Sequence, residues 1–227
     1  MKIARRAALM MIVFVHSGTL GAGAQMGMGG RTPQIQGVWN PVVGSGAAYQ
    51  VESKDTHKTE MEIAVVGSET VDNKPGYWLE MSINDPRGGG PMYIKHLIVL
   101  DSKQTIVTRM IMQAPGQPPM EMSIEMISRG GRSVKQPADV RDRAERLGSE
   151  TITTPAGTFT CEHWRMKDGS ADVWYSEKVA PYGLVKMTGR DSTMTLLRVI
   201  TDAKTHITGT PERFDPVEMM RRKAGRP

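Results

Sequence analysis

The stretch that decides the fold is residues 147–199, which read LGSETITTPAGTFTCEHWRMKDGSADVWYSEKVAPYGLVKMTGRDSTMTLLRV. Turn signals recur along it, because proline fixes φ and glycine permits positive φ where the chain reverses. These turns are expected at residues 154–157, 167–169, 181–183 and 189–191. The short runs between them are rich in Thr, Val, Phe, Trp and Tyr, which fit a pleated surface. The stretch therefore predicts a meander of antiparallel strands.

Alternation of apolar and polar residues extends upstream of this meander. It is clearest in residues 120–127 (MEMSIEMI), where a shift of one residue would bury two glutamates. The same period of two in residues 57–66, 77–84 and 105–113 predicts half-buried strands. Together these runs predict one apolar sheet face formed by Met61, Ile63, Val65, Leu79, Met81, Ile83, Met110, Met112, Met120, Met122, Ile124 and Met126.

Other segments complete the predicted architecture. Strands are expected at residues 44–53 and 92–100, and turns at residues 73–76 and 101–104. Helical spacing of Val140, Ala144 and Leu147 predicts a short helix over residues 139–147. A second helix is expected over residues 216–223, with capping signals just before it and in its first turn. The fold class is mainly β, with about ten antiparallel strands and one or two short helices.

The first 24 residues have the pattern of a secretory signal peptide. Lys2, Arg5 and Arg6 precede an apolar run at residues 7–15, and small residues at 22–24 predict cleavage after Ala24. No cysteine stands at the cleavage site, and no later run reaches the length of a membrane span, so we expect a soluble periplasmic or secreted protein. The predicted organisation is a signal peptide (1–24), a flexible lead-in (25–43), one β domain (44–209), and a C-terminal helix with a basic tail (210–227).

The charge distribution argues against a nucleic-acid partner. Removal of the signal peptide takes 3 of the 29 basic residues, which leaves 26 against 24 acidic residues. Four more basic residues lie within residues 221–226, so the body carries 22 basic against 24 acidic side chains. No basic face that could neutralise phosphates is predicted.

The search for catalytic motifs gives no candidate residues. The chain lacks the nucleophile-elbow, zinc-protease, Walker, calcium-loop and dinucleotide-binding signatures. The carboxylate pairs Glu60/Glu62, Glu121/Glu125 and Asp168/Asp172 have spacings typical of solvated faces and turns. His57, His96, His163 and His206 are scattered, and Cys161, the single cysteine, is expected to be a small buried side chain. We therefore predict no enzyme activity, no cofactor and no disulfide.

Methionine is the unusual feature of the composition, with 18 residues against 3 phenylalanines. Thioethers bind monovalent copper, and several methionines lie on two neighbouring predicted strands. Packing is the stronger interpretation, because methionine fills irregular cores and no histidine or cysteine stands in a tight local motif beside them. A third interpretation is an adaptable surface for an apolar ligand, formed if the methionine face is incompletely covered.

One part of the meander resembles a known family. Residues 172–175 (DVWY) run through residues 176–180 (SEKVA) to residues 181–186 (PYGLVK). This segment is similar to the corresponding region of bacterial envelope proteins related to the LolA and LolB lipoprotein carriers. The resemblance implies a strongly curved antiparallel sheet, an open half-barrel, whose concave apolar face holds acyl chains beneath short helices.

Two functional hypotheses follow. The first is an exported carrier or sensor that binds a lipid-like or other apolar ligand on the methionine-lined concave face. The second is an envelope interaction or structural module whose apolar face is fully packed and binds no ligand. A copper-binding protein is a further alternative.

Overall fold

The computed structural model describes residues 37–54, 56–84, 89–124, 128 and 134–214, without the side chains of residues 56 and 57. These residues belong to one compact unit, Gln34–Pro227. The predicted signal peptide, most of the lead-in, Met126 and the predicted C-terminal helix lie outside them. No helix within the described ranges is both long enough and apolar enough to cross a membrane.

The described residues fold mainly into β-strands, as predicted, and they form thirteen strands, more than the expected ten or so. In chain order they are β1 (Gly46–Ser53), β2 (Thr56–Val71), β3 (Lys74–Asn84), β4 (Pro91–Asp101), β5 (Gln104–Gln113), β6 (Met120–Met122), β7 (Lys135–Pro137), β8 (Ala144–Thr154), β9 (Gly157–Met166), β10 (Ala171–Tyr175), β11 (Leu184–Gly189), β12 (Ser192–Ile200) and β13 (Glu212–Arg213).

These strands form one open sheet. Its order is β13-β6-β5-β4-β3-β2-β1-β12-β11-β10-β9-β8, and β7 pairs with β5 beside this path. All pairings are antiparallel except that of β13 with β6, which is parallel. Some Cα atoms of β8 lie within 8 Å of Cα atoms of β12, although three strands separate the two in the sheet. The meander therefore curls strongly, and the described strands do not close into a barrel.

Turn chemistry sets the register of the long hairpins. Asp72 and Asn73 join β2 to β3 with φ values of 47° and 61°, the left-handed conformation that a two-residue hairpin requires and that Asp and Asn tolerate. The turn predicted at residues 73–76 is thus placed too late, and Pro75 pairs with Thr70 inside the hairpin. The turn at residues 154–157 lies where it was predicted, with Gly157 at a φ of 125°.

The strand predicted over residues 120–127 is shorter than expected. It pairs with β5 only from Met120 to Met122, and Ile124 already has helical backbone. The chain returns to the same edge of β5 at Val134, whose carbonyl accepts a hydrogen bond from the Val107 backbone N–H at 2.8 Å. Two short strands, β6 and β7, therefore pair with the same edge of β5, where the alternation alone predicted one longer strand.

The helix predicted over residues 139–147 is wrong. A single 3-10 turn, Val140–Arg143, is followed at once by β8. Val140 and Ala144 are buried against Met166, which accounts for their apolar spacing. Pairing with β9 supplies the backbone hydrogen bonds of residues 144–146, so tertiary structure overrides a weak helical preference.

The main core lies on one face of the sheet and includes a residue from the predicted lead-in. Trp39 packs its ring edge-on to Tyr77 at 6.4 Å and against Tyr182 at 5.2 Å. Its backbone N–H donates to the carbonyl of Ala138 at 2.7 Å. Residues at the end of the lead-in therefore help to seal the core above β1, β2 and β3.

A connection that the sequence did not predict crosses the opposite face. Residues 201–211, which we call the strap, run from β12 in the middle of the sheet to β13 at its edge. Thr205 and His206 of the strap bond to Glu80 of β3, and the Thr208 backbone N–H donates to Gln113 Oε1 on β5 at 3.2 Å. The strap therefore covers polar groups of β3 and β5.

Candidate functional site

The ladder register places the predicted apolar residues of five strands on one face, because directly opposed residues point to the same side of a sheet. Two transverse rows cross β2, β3, β4, β5 and β6. The first row is Ile63, Met81, Ile94, Met112 and Met120. The second row is Val65, Leu79, His96, Met110 and Met122.

The remaining predicted residues adjoin these rows. Met61 and Ile83 oppose each other on β2 and β3, and Ile83 also opposes Met92 on β4. Ile124 has left the sheet and packs on the cluster around Ile94 and Met110. Met126 lies outside the described residues.

Exposure differs between the two ends of this face. On β2, Ile63 and Val65 are fully buried, and on β3 Leu79 is 2% exposed. On β6, Met120 and Met122 are only half-buried. The half next to Trp39 is thus sealed core, whereas the half toward the sheet edge is partly open. We call the half-buried side chains Met92, Met112, Met120 and Met122 the methionine surface.

The methionine surface is backed by packed side chains. Two fully packed side chains, Ile94 and Met110, form its floor, and Ile124 and Val134 cover part of it. A separate cleft of about 140 Å³ is lined by Val71, Asp72, Lys74, Val99, Asp101, Ile106 and Thr108. That volume is below the ~300 Å³ at which pockets for drug-sized ligands begin, and no predicted face residue lines the cleft.

His96 is the polar residue in the second row, and the sequence analysis assigned it no role. Its imidazole Nε2 lies 3.1 Å from the thioether Sδ of Met110 on the neighbouring strand. His96 is half-buried, and Met110 is 2% exposed. An imidazole nitrogen and a thioether sulfur therefore meet on an otherwise apolar face. The signal that could have found it is the alternation of β4, which puts His96 in phase with Met92 and Ile94.

Two carboxylates and an indole ring surround His163 on β9. Its Nδ1 lies 2.6 Å from Glu150 Oε1, and its Nε2 lies 3.2 Å from Asp172 Oδ1. The ring stacks on Trp174 at 4.3 Å, and Trp174 Nε1 donates to Glu150 Oε2. Both imidazole nitrogens are thus engaged by carboxylates.

The carboxylates of this cluster are held in their charged form. Hydrogen bonds from Trp174 and then His163 lower the pKa of Glu150 below its ordinary value. Burial, the largest single influence on Asp172, raises its pKa, but hydrogen bonds from Arg165 and His163 outweigh it and the net pKa is lowered. Such an arrangement of opposite charges stabilises the β8–β9–β10 region.

Of the other groups considered from the sequence, Glu125 and the side chain of His57 lie outside the described part of the chain, whereas several more are engaged in packing or ion pairs. Cys161 is buried, and burial raises the pKa of its thiol to about 11, which keeps it protonated and unreactive. Glu60 and Glu62 both pair with Arg198, and Glu121 receives two hydrogen bonds from Arg109. These carboxylates act as partners of arginines on the sheet surface.

Comparison with known proteins gives no family. No family model matches the chain, and no curated protein matches it. It is similar to the crystal structure of "a putative lipoprotein" from Parabacteroides distasonis, with 15% identity, 73% of this chain and 100% of that chain covered, and a TM-score of 0.36. It is also similar to "a putative exported protein with YmcC-like fold" from Bacteroides fragilis, with 12% identity, 73% and 99% coverage, and a TM-score of 0.35. At these scores and identities the likeness carries no argument about function.

Proposed function

We propose that this chain is an exported binding protein that receives an apolar ligand, such as an acyl chain, on the methionine surface. The observation that supports this most directly is the change in exposure along the two rows, from fully buried on β2 to half-buried on β6. A sheet face made only for packing has no need of large apolar side chains at its open border.

The composition of the surface suits a ligand of variable shape. Methionine has three rotatable bonds and a polarisable sulfur, so neighbouring methionines can repack around different hydrocarbon chains. Met112 and Met120 oppose each other on β5 and β6, and Met92 lies two residues from Ile94 on β4. A hydrocarbon chain laid across these strands would replace water along a continuous apolar surface.

The experiment is a binding titration with dodecanoate, with an apolar fluorescent dye as a second probe. The wild-type protein is compared with Met112→Glu, which introduces a charge into the methionine surface. Gln113→Glu introduces the same charge at the next residue of β5, which points to the opposite face, and is the matched control. We expect Met112→Glu to abolish binding of both probes and Gln113→Glu to retain it.

Circular dichroism of each variant separates loss of binding from loss of fold. If Met112→Glu unfolds the chain, Met120→Glu on the short edge strand β6 takes its place, since Met120 is half-buried. Absence of wild-type binding, or equal binding by all variants, would refute the proposal. A folded wild-type protein that binds neither probe would favour the alternative of an interaction or structural module.

A further inference from the structure

The second row, which contains His96, indicates another kind of ligand, and this indication does not depend on the apolar ligand. His96 on β4 opposes Met110 on β5, and Met110 opposes Met122 on β6. All three side chains therefore lie side by side on one face. Directly opposed residues have Cβ atoms about 4.5–5.5 Å apart, so the ends of three long side chains can reach one point.

The first two donor atoms already converge. His96 Nε2 and Met110 Sδ are 3.1 Å apart. Ligands that bind the same first-row metal ion at about 2.0–2.3 Å are themselves about 3–4 Å from each other. The observed separation is in that range. Met122 is half-buried and adjoins Met110, so its thioether can supply a third donor from the open side.

We propose that His96, Met110 and Met122 form a binding site for one monovalent copper ion. Thioether and neutral imidazole are soft or borderline ligands, and the thioether in particular selects Cu(I) over hard cations. The surrounding floor is apolar, with Leu79 at 2% and Ile94 at 2% exposure. A cation of single charge with neutral ligands can be held there without a buried carboxylate.

The same residues exclude other metals. Calcium and magnesium need several oxygen ligands, and structural zinc needs thiolates, imidazoles or carboxylates in tetrahedral sets. No group of three or more His, Cys, Asp or Glu side chains in the described part of the chain could hold a metal ion. The proposed site depends on its two thioethers, and it is therefore specific for Cu(I) and its analogue Ag(I).

A second methionine pair provides an internal control. Met187 on β11 opposes Met194 on β12 in the sealed core, with exposures of 5% and 0%. The described neighbours of this pair include no histidine donor within hydrogen-bonding distance of either sulfur. Two methionines alone, closed off from solvent, are not expected to bind the ion.

The test is a competition titration of untagged full-length protein with Cu(I), kept reduced by ascorbate, against the chromophoric chelator bicinchoninate. The background carries Cys161→Ala, so that the single thiol cannot bind the metal. We expect one equivalent of Cu(I), and Met110→Leu/Met122→Leu should weaken binding by about 10-fold or more. His96→Gln should weaken it similarly, whereas Met187→Leu/Met194→Leu should leave it unchanged.

Leucine for methionine nearly conserves volume, so these variants keep the fold and the apolar surface. The circular dichroism spectrum of Met110→Leu/Met122→Leu should match that of the background, so that a loss of Cu(I) binding reports the loss of the two thioethers. Failure of the apolar proposal leaves this test intact. The copper proposal is overturned if the protein binds no Cu(I), or if Met110→Leu/Met122→Leu and His96→Gln both bind it as tightly as the background.

Discussion

The buried carboxylate of Glu80 accepts two hydrogen bonds from His206, one from the backbone N–H at 2.8 Å and one from the imidazole Nδ1 at 2.9 Å. Glu80 lies in the middle of β3 and is 3% exposed, whereas the His206 side chain is 52% exposed. Thr205 donates a further hydrogen bond to the other carboxylate oxygen, and the His206 ring stacks on Tyr93. The strap is thus fastened to the sheet through one buried acid.

Removal of this acid should destabilise the protein. Glu80→Ala leaves the Thr205 hydroxyl and the His206 N–H without their acceptor, and we expect a loss of about 1–3 kcal/mol in the free energy of unfolding. Glu52→Ala is the control, because Glu52 is 49% exposed and pairs with the surface residue Lys58, and its loss should cost about 0–1 kcal/mol. Denaturant unfolding measures both, and equal losses would contradict the role assigned to Glu80.

Truncations along the second row should reveal where the core ends. Leu79→Ala removes a side chain that is 2% exposed, and we expect it to cost about 2–5 kcal/mol. Met122→Ala removes a half-buried side chain on β6, and its cost should fall below about 1.5 kcal/mol. Denaturant midpoints with unchanged slopes provide the comparison. A cost for Met122→Ala as large as that for Leu79→Ala would mean that the methionine surface is sealed core.

The alternation of the sequence was sufficient to predict which side of β2 and of β3 is apolar, because that information is local. It placed Met61, Ile63 and Val65 on the same side as Leu79 and Met81, and the pairing of β2 with β3 confirms this placement. It could not predict His96 as a neighbour of Met110, since that contact depends on the register between β4 and β5, which includes an irregularity between Leu97 and Ile98.

Nonlocal contacts also explain the other differences between the predicted and the observed structure. Residues 139–147 carry a weak helical pattern that pairing with β9 overrides, and β6 ends where β5 takes Val134 as its next partner. The strap has no periodicity of its own, so nothing in residues 201–211 indicated that it crosses the sheet to reach Glu80. Trp39 lies in a segment too short to show a pattern, although it packs in the core.

Acid should weaken the cluster around His163. Hydrogen bonds lower the pKa of Glu150 from 4.5 and the net pKa of Asp172 from 3.8. A carboxyl with a lowered pKa in the folded state contributes stability above its unfolded pKa, and that contribution is lost as the pH falls through the folded value. Asp172→Asn should therefore be less stable than wild type at neutral pH, and the two stability curves should converge below pH 3.8. A constant difference from pH 7 to pH 2, about the whole titration range of a carboxyl, would contradict this account.

The single thiol should be inert in the folded protein. Burial, followed by the charge of Glu150, raises the pKa of Cys161 to about 11, and the thiol is protonated at neutral pH. We expect no reaction with a disulfide reagent at neutral pH until denaturant is added, when one thiol per chain should react. Rapid reaction of the native protein would show that Cys161 on β9 is more accessible to solvent than the structure shows.

The most direct test of the central claim, that the methionine face is sealed on β2 and open on β6, is methyl NMR of the methionine side chains during a dodecanoate titration. The account predicts shifts at Met92, Met112, Met120 and Met122, with Met61, Met187 and Met194 unchanged. Shifts at the sealed methionines, or none at any methionine up to saturating ligand, would contradict it.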